Sequence, residues 1–208
     1  MFGRQTVFVN IPKLPSYVHS RVTRIDTKEP ETLEWIDKFN QDREIIFWDI
    51  GANIGLYSIY AAQKHKNIKV TSFEPSTSNL RVLSRNISIN NLNEKITINQ
   101  IPLNDKKNSN LEMYESEFTE GWSMNTFGQP TDYQGRSFKS KQKYKIFGTT
   151  IDFLLDNKIV EMPNYIKIDV DGIEHQILKG GLKYLNHKNI KSLSIELNEK
   201  YTEQFDHV

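Results

Sequence analysis

Glu44-Ile-Ile-Phe-Trp-Asp49-Ile-Gly51-Ala-Asn53-Ile-Gly55 runs an unbroken apolar segment into a glycine-containing turn, and a helical pattern from Leu56 to Lys64 follows at once. An apolar run of strand length, Ile45 to Ile50, is the pattern of a strand covered on both faces, as in a parallel sheet. The glycines permit a tight reversal and close approach of a ligand to the backbone, and the helix N-terminus beyond them favours a carboxylate or phosphate. Such turns also arise wherever positive φ is needed, so the spacing has to discriminate. It is Gly-x-Asn-x-Gly, without the Gly-x-Gly-x-x-Gly of dinucleotide folds and without the Lys-Ser/Thr of a phosphate loop, which disfavours pyrophosphate.

Outward from that turn the period alternates. Strand patterns lie at Ile68 to Glu74, Ile96 to Leu103, Tyr165 to Asp169 and Ser192 to Leu197, with helical patterns at Asn79 to Asn90, Ile151 to Asn157 and Ile173 to Leu185. Strands and helices in alternation mean βαβ units. The sequence therefore predicts a Rossmann-like α/β domain over residues 41–208, a mostly parallel sheet with helices on both faces. Residues 106–148 interrupt it with strands at Leu111 to Tyr114 and Tyr144 to Phe147 around a polar stretch from Thr119 to Ser137, an inserted hairpin with a long loop. Residues 1–40 read as an N-terminal extension and a leading helix. The extension carries β-like runs at Thr6 to Ile11 and Tyr17 to Ile25. The helix, from Thr27 to Phe39, has Pro30 in its first turn and Leu33, Ile36 and Phe39 on one face.

Bulk properties close off several functions. Lys+Arg 27 against Asp+Glu 26 leaves a net charge of +1, and no basic run is interleaved with aromatics, so no nucleic-acid groove is indicated. Lys139-Ser-Lys141-Gln-Lys143-Tyr-Lys145 comes nearest, and strand alternation puts its lysines on one solvated face, or makes them a site for an anionic group. With no cysteine there is no disulfide, Cys-ligated zinc or thiol nucleophile. No membrane span or signal peptide is read, and the expectation is a soluble, cytoplasmic protein.

In an open parallel sheet the ligand sits outside the carboxyl ends of the strands, where strand order reverses. Glu74 ends the second strand in Thr71-Ser-Phe-Glu74-Pro75, about 20 residues past the glycines, where a carboxylate can accept both hydroxyls of a ribose. It points to an adenosyl ligand, with Pro75 available to the adenine face. The third strand ends at Asn104-Asp105, where either side chain can meet the exocyclic amine or serve as turn chemistry. Lys167-Ile-Asp169-Val-Asp171-Gly-Ile-Glu174-His175 is the richest ionisable cluster. Asp169 closes a buried strand, where a carboxylate is costly without a cation or donors. Asp171 and Glu174 have capping-box spacing as well as catalytic chemistry. His175 is either a general base or a packing residue, and Glu196 ends the fifth strand at the same edge.

These blocks, Phe47-Trp-Asp-Ile-Gly-Ala-Asn-Ile-Gly-Leu-Tyr-Ser58, Ser72-Phe-Glu-Pro75 and Tyr165-Ile-Lys-Ile-Asp-Val-Asp-Gly-Ile-Glu-His-Gln-Ile-Leu-Lys-Gly180, closely resemble the FkbM family of methyltransferases, over roughly Glu29 to Glu199. The resemblance implies S-adenosylmethionine as cofactor and usually an oxygen acceptor, hence O-methylation of a small-molecule or glycan hydroxyl. It places Gly51, Asn53 and Gly55 of the Asp49–Gly55 loop beside the methionine part and Glu74 at the ribose, and Pro75 and Asn104 are the candidates for the base. Asp169, Glu174 and Glu196 are the candidate catalytic groups. Asp169 and Asp171 also raise a Mg²⁺-dependent variant, although no metal ligand is assigned. Trp122, Asn125, Phe127, Tyr133 and Arg136 suit a lid over the acceptor, or an ordinary surface loop. Two rivals stand beside this reading: an adenosyl-binding module without catalysis, and a nicotinamide-dependent oxidoreductase, disfavoured by the glycine spacing. Family members continue past the fifth strand into a helix and an antiparallel strand pair. Tyr201 to Val208 is too short for these. The sheet edge is thus expected to be exposed, covered by the N-terminal strands, or paired with another copy in a homo-oligomer.

Overall fold

The computed structural model describes residues 22–198 and 201–205. In chain order its first half comprises α1 (Ile25–Lys28), α2 (Pro30–Asp37), β1 (Ile45–Ile50), α3 (Leu56–Lys64), β2 (Ile68–Phe73), α4 (Thr77–Ile89) and β3 (Ile96–Asn99). The second half comprises β4 (Ser109–Glu115), β5 (Asn125–Phe127), β6 (Gln142–Gly148), α5 (Ile151–Asp156), β7 (Tyr165–Ile168), α6 (Glu174–Lys179), β8 (Ser192–Ile195) and α7 (Thr202–Phe205). The main sheet is five-stranded and parallel, in the order β3-β2-β1-β7-β8. Strand order therefore reverses between β1 and β7, directly at the Gly51 turn.

All six residues of β1 are buried. Because side chains alternate across a strand, Ile45 and Phe47 enter one core layer with Ile36, Phe39, Ile59 and Leu83, while Ile46, Trp48 and Ile50 enter the other with Ile151, Leu154, Ile166 and Ile177. Helices α2, α3 and α4 cover the first face, and α5 and α6 cover the second. The leading helix is fixed by Leu33, Ile36 and Phe39, the three positions read as its apolar face, and Phe39 stacks on Tyr165 with ring centroids 3.8 Å apart. No helix among the described residues is long and apolar enough to cross a membrane.

The structure departs from the sequence reading in a few places, each with a local cause. The β-like run at Thr6 to Ile11 lies outside the described residues, as does the start of the run at Tyr17 to Ile25; Ile25 itself opens a helical turn. The leading helix begins at Pro30, whose missing N–H costs nothing at a first helical position. β3 stops at Asn99, where the side-chain Oδ1 accepts from Ile101 N at 3.0 Å and turns the chain. The helix expected to Leu185 stops at Lys179, after which Gly180 and Gly181 lead into turns. The insertion is a separate antiparallel sheet, β5-β4-β6, and the stretch read as a bare loop contributes β5. Lys143 and Lys145 are exposed on β6, as alternation requires.

Gly180 marks where α6 meets the end of the β3 connection. A Cβ there would lie 2.1 Å from the Asn104 carbonyl oxygen, although its backbone is in an ordinary helical conformation. Gly180→Ala is thus a purely steric probe, and it should lower stability by about 1–3 kcal/mol. A urea melt would show a lower midpoint at unchanged slope, whereas an unchanged midpoint would contradict this packing.

Candidate active site

The turn after β1 is stitched to both neighbouring strands. Gly51 N and Ala52 N both donate to Phe73 O, at 2.9 and 3.0 Å. On the other side Gly51 sits against β7: with φ +84°, a Cβ on it would lie 1.8 Å from the Asp169 carbonyl oxygen. Only glycine fits that approach. Asn53 adopts the left-handed conformation that Asn tolerates, φ 52°. Its Oδ1 accepts from Ile54 N at 2.9 Å and its Nδ2 donates to Trp122 O at 3.0 Å. Gly55, φ +86°, starts α3.

Glu74 closes the next corner. It is 5% exposed, and its carboxylate accepts from Asn53 N at 2.7 Å and Ser76 N at 2.8 Å, tying the β1 turn to the turn before α4. Burial pushes the carboxyl up to about 7, against those two N–H groups, which favour the ionised form.

A cavity of about 390 Å³ opens over these turns, within the range of small-molecule and cofactor sites. One end is apolar, walled by Phe73, Pro75, Leu103, Met113, Phe127 and Ile177. Glu74 lines it as well. The other end is polar and charged, with Gly51, Asn53, Asp169, Glu196 and, from the leading segment, Arg24 and Lys28. The insertion forms the roof through Trp122, Ser123 and Asn125. That roof is fastened by Asn53 and Asn79, both donating to Trp122 O, and by Gly121 N donating to Asn79 Oδ1 at 2.8 Å. Below it, Glu115 accepts from Ser76 Oγ at 2.8 Å and Tyr144 Oη at 3.0 Å, so the insertion's own sheet is bound to the start of α4.

At the charged end, Lys167 and Asp169 lie two residues apart on one face at the end of β7. Lys167 Nζ is 2.6 Å from Asp169 Oδ2, and its side chain is 4% exposed. Burial alone would raise the Asp169 carboxyl, but the Lys167 ammonium and a hydrogen bond from Glu196 outweigh it and hold the group well below the usual carboxylate range. Glu196 takes the opposite shift. Its hydrogen bond to Asp169 and the charge of that neighbour push it up to about 8. The pair thus titrates as one system, with the proton residing on Glu196. Glu29 completes the cluster: its oxygen and those of Asp169 and Glu196 lie within 4.8 Å of one another, and Glu29 accepts from Tyr57 Oη and Lys28 Nζ, each at 2.6 Å. Three carboxylates this close resemble a cation site, but the Lys167 ammonium already supplies the positive charge. Asp171 is not a member of this group of three.

Several residues read from sequence fall elsewhere. Asp49 is fully buried behind the turn, accepting from Ser58 Oγ at 2.6 Å, and does not line the cavity. The Asn104 side chain forms a turn with Lys106 N at 2.9 Å, while Ile101, Pro102 and Leu103 provide the wall. Asp171 does not cap α6; with φ 62°, it accepts from Met124 N at 2.7 Å and holds the roof. Glu174 does reach back as a capping residue would, accepting from Val170 N and Gly172 N, both at 3.0 Å, and from Gln204 Nε2. Burial pushes it up to about 7. It faces a second cavity of about 530 Å³, which shares Asp171 and Glu196 with the first. His175 is buried and packs edge-on against Tyr201. The sequence reading missed Lys167, Glu29, Arg24 and Lys28. For Lys167 a signal existed, since a lysine inside Tyr165-Ile-Lys-Ile-Asp169 requires a partner and the period of two supplies Asp169.

Known proteins resemble this chain in sequence and in shape. The methyltransferase sdnD of Sordaria araneosa is 28% identical over 151 residues, covering 64% of this chain and 58% of that protein, so this chain spans well under two thirds of that relative's length. The precorrin-6Y C5,15-methyltransferase of Geobacter metallireducens GS-15 superposes with a TM-score of 0.48 at 14% identity, over 86% of this chain and 69% of that one. An rRNA methylase of Streptococcus thermophilus gives 0.47 at 13%, over 84% and 74%. Residues 49–208 match the Methyltransferase FkbM domain, and the chain belongs to that family, whose cofactor is S-adenosylmethionine.

Proposed function

We propose that this protein transfers a methyl group from S-adenosylmethionine to a hydroxyl of a small molecule or glycan. The carrying observation is the Asp169–Glu196 pair at the charged end of the cavity, with carboxyl oxygens within 4.8 Å of each other and Lys167 Nζ 2.6 Å from Asp169. The cavity suits the cofactor along its whole length. The apolar end between Pro75, Leu103 and Phe127 accepts a flat base, Glu74 stands where ribose hydroxyls need an acceptor, and Gly51 and Asn53 border the amino-acid part. When bound, the cofactor supplies an electrophilic methyl on a sulfonium. Asp169 stabilises that positive charge, its own charge being secured by Lys167. Ionised Glu196 is the group that would take the proton of the acceptor hydroxyl, while the bound cofactor would supply the methyl for the new O–CH₃ bond and depart as S-adenosylhomocysteine. Glu174, bound to the 170–172 backbone, positions that loop. The functional unit is residues 41–208, with Arg24 and Lys28 of the leading segment lining its charged end and Glu29 beside Asp169 and Glu196.

Two measurements test these roles. Glu74→Ala should weaken S-adenosylmethionine binding by about tenfold or more in calorimetry, because it removes a buried acceptor and frees two loop N–H groups; unchanged affinity would remove Glu74 from the ribose. For Glu196 the sign is set by the need for its ionised form. As pH rises toward about 8 the fraction ionised grows, so turnover should rise with it, the limb moving lower when the cationic cofactor is bound. Glu196→Gln should flatten that limb and cut turnover by about 10²–10⁴-fold. A variant that keeps the wild-type profile would show that another group takes the proton.

A further inference from the structure

Glu196 has the cofactor cavity on one side and the cavity of about 530 Å³ on the other, with Asp171 also on the shared wall. The two cavities therefore adjoin at the charged end of the first, away from its apolar end. The second cavity has its own chemistry. Gln134 and Asn198 bring amides, Gln204 is held at both ends by Asn198 N and Glu174, and Asp171, Glu174 and Glu196 bring carboxyl groups. Tyr133, 42% exposed, presents a ring at the rim. No Lys or Arg lines it among the described residues. The neighbouring guanidinium of Arg136 is committed to Asp132, at 2.8 and 3.0 Å.

This wall is seated firmly. A Cβ on Gly172 would lie 2.7 Å from the Asp132 carbonyl oxygen, so the turn around residues 131–137 is packed directly on the 170–172 loop. Asn198 Nδ2 donates to Tyr133 O at 3.1 Å, and Asn198 N donates to Gln204 Oε1 at 2.9 Å, joining the turn, the end of β8 and α7 around one opening. Glu174 is held from behind by Val170 N, Gly172 N and Gln204, which leaves Asp171 and Glu196 as the carboxylates at the junction.

We infer that the second cavity binds the methyl acceptor, and that it takes a polyhydroxylated molecule that is neutral or carries an amine, such as a glycoside, while rejecting anionic ones. Hydroxyls both donate and accept, as this mixture of carboxylates and amides demands, and the apolar face of a sugar ring can lie on Tyr133. A phosphate or carboxylate on the acceptor would meet Asp171 beside the carboxyl groups of Glu174 and Glu196, with no cation lining the cavity among the described residues to balance it. The inference rests on the hydroxyl-transfer reading above and assigns a place and a charge to its substrate.

The test is an NMR binding titration of the protein loaded with S-adenosylhomocysteine. The probes are methyl glucoside, methyl glucosaminide, methyl glucuronide and a hexose phosphate. The first two should bind, and Gln134→Trp, which fills the cavity, should weaken them by about tenfold or more while S-adenosylhomocysteine affinity stays unchanged. Tyr133→Ala provides a second variant that removes only the ring platform. Equal binding of the anionic probes, wild-type binding in both variants, or no glycoside binding at all would overturn the assignment. Labelled S-adenosylmethionine separates the two readings. Bound glycosides that receive no O-methyl group would contradict hydroxyl transfer and leave the site standing, whereas O-methylation of the glucuronide would overturn the site and leave hydroxyl transfer standing.

Discussion

The close approach of Gly51 to the Asp169 carbonyl is the constraint on which the site depends. It brings the ends of β1 and β7 together where strand order reverses, at a distance that no side chain permits. The same turn donates two N–H groups to the end of β2, so three strand ends are drawn into one edge. Glu74 then binds the turn from the β2 side and Trp122 O binds Asn53 from the insertion. The cavity is what remains between these fixed pieces, and its walls are therefore set by backbone hydrogen bonds more than by flexible side chains.

The electrostatics at the charged end follow from which face of β7 each residue occupies. Tyr165, Lys167 and Asp169 share the face toward α3, while Ile166 and Ile168 fill the other core layer. A buried ammonium with Asp169 at 2.6 Å and Asp49 nearby is kept protonated against the cost of burial. That fixed cation decides which of Asp169 and Glu196 gives up its proton first. Without it, three carboxylates within 4.8 Å would repel one another and take up protons.

Much of the fold was legible because burial on both faces leaves an unmistakable record: β1 and α3 fall at the residues where apolar runs and helical spacing put them. That Gly51, Asn53 and Glu74 would meet at one cavity was legible because they lie at strand ends, and Asp169 stood out because a carboxylate closing a buried strand needs a partner. Other assignments depended on side-chain direction, which spacing does not fix at turns. Asp49 alternates inward toward Ser58, and Asn104 spends its oxygen on its own turn. Asp171 holds the roof instead of its helix because positive φ at the turn points it outward. Glu29 and Lys28 were out of reach for a different reason, since only the tertiary packing of the leading helix brings them to β8.

The central claim is that one cavity, at the edge where β1, β2 and β7 meet, holds the cofactor with its sulfur facing Asp169 and Glu196. A crystal structure with S-adenosylhomocysteine tests it most directly. The expected result is the base between Pro75, Leu103 and Phe127, the ribose hydroxyls on Glu74, and the sulfur at the Asp169–Glu196 end. Cofactor bound in the reverse direction, or anywhere other than this edge, would contradict it.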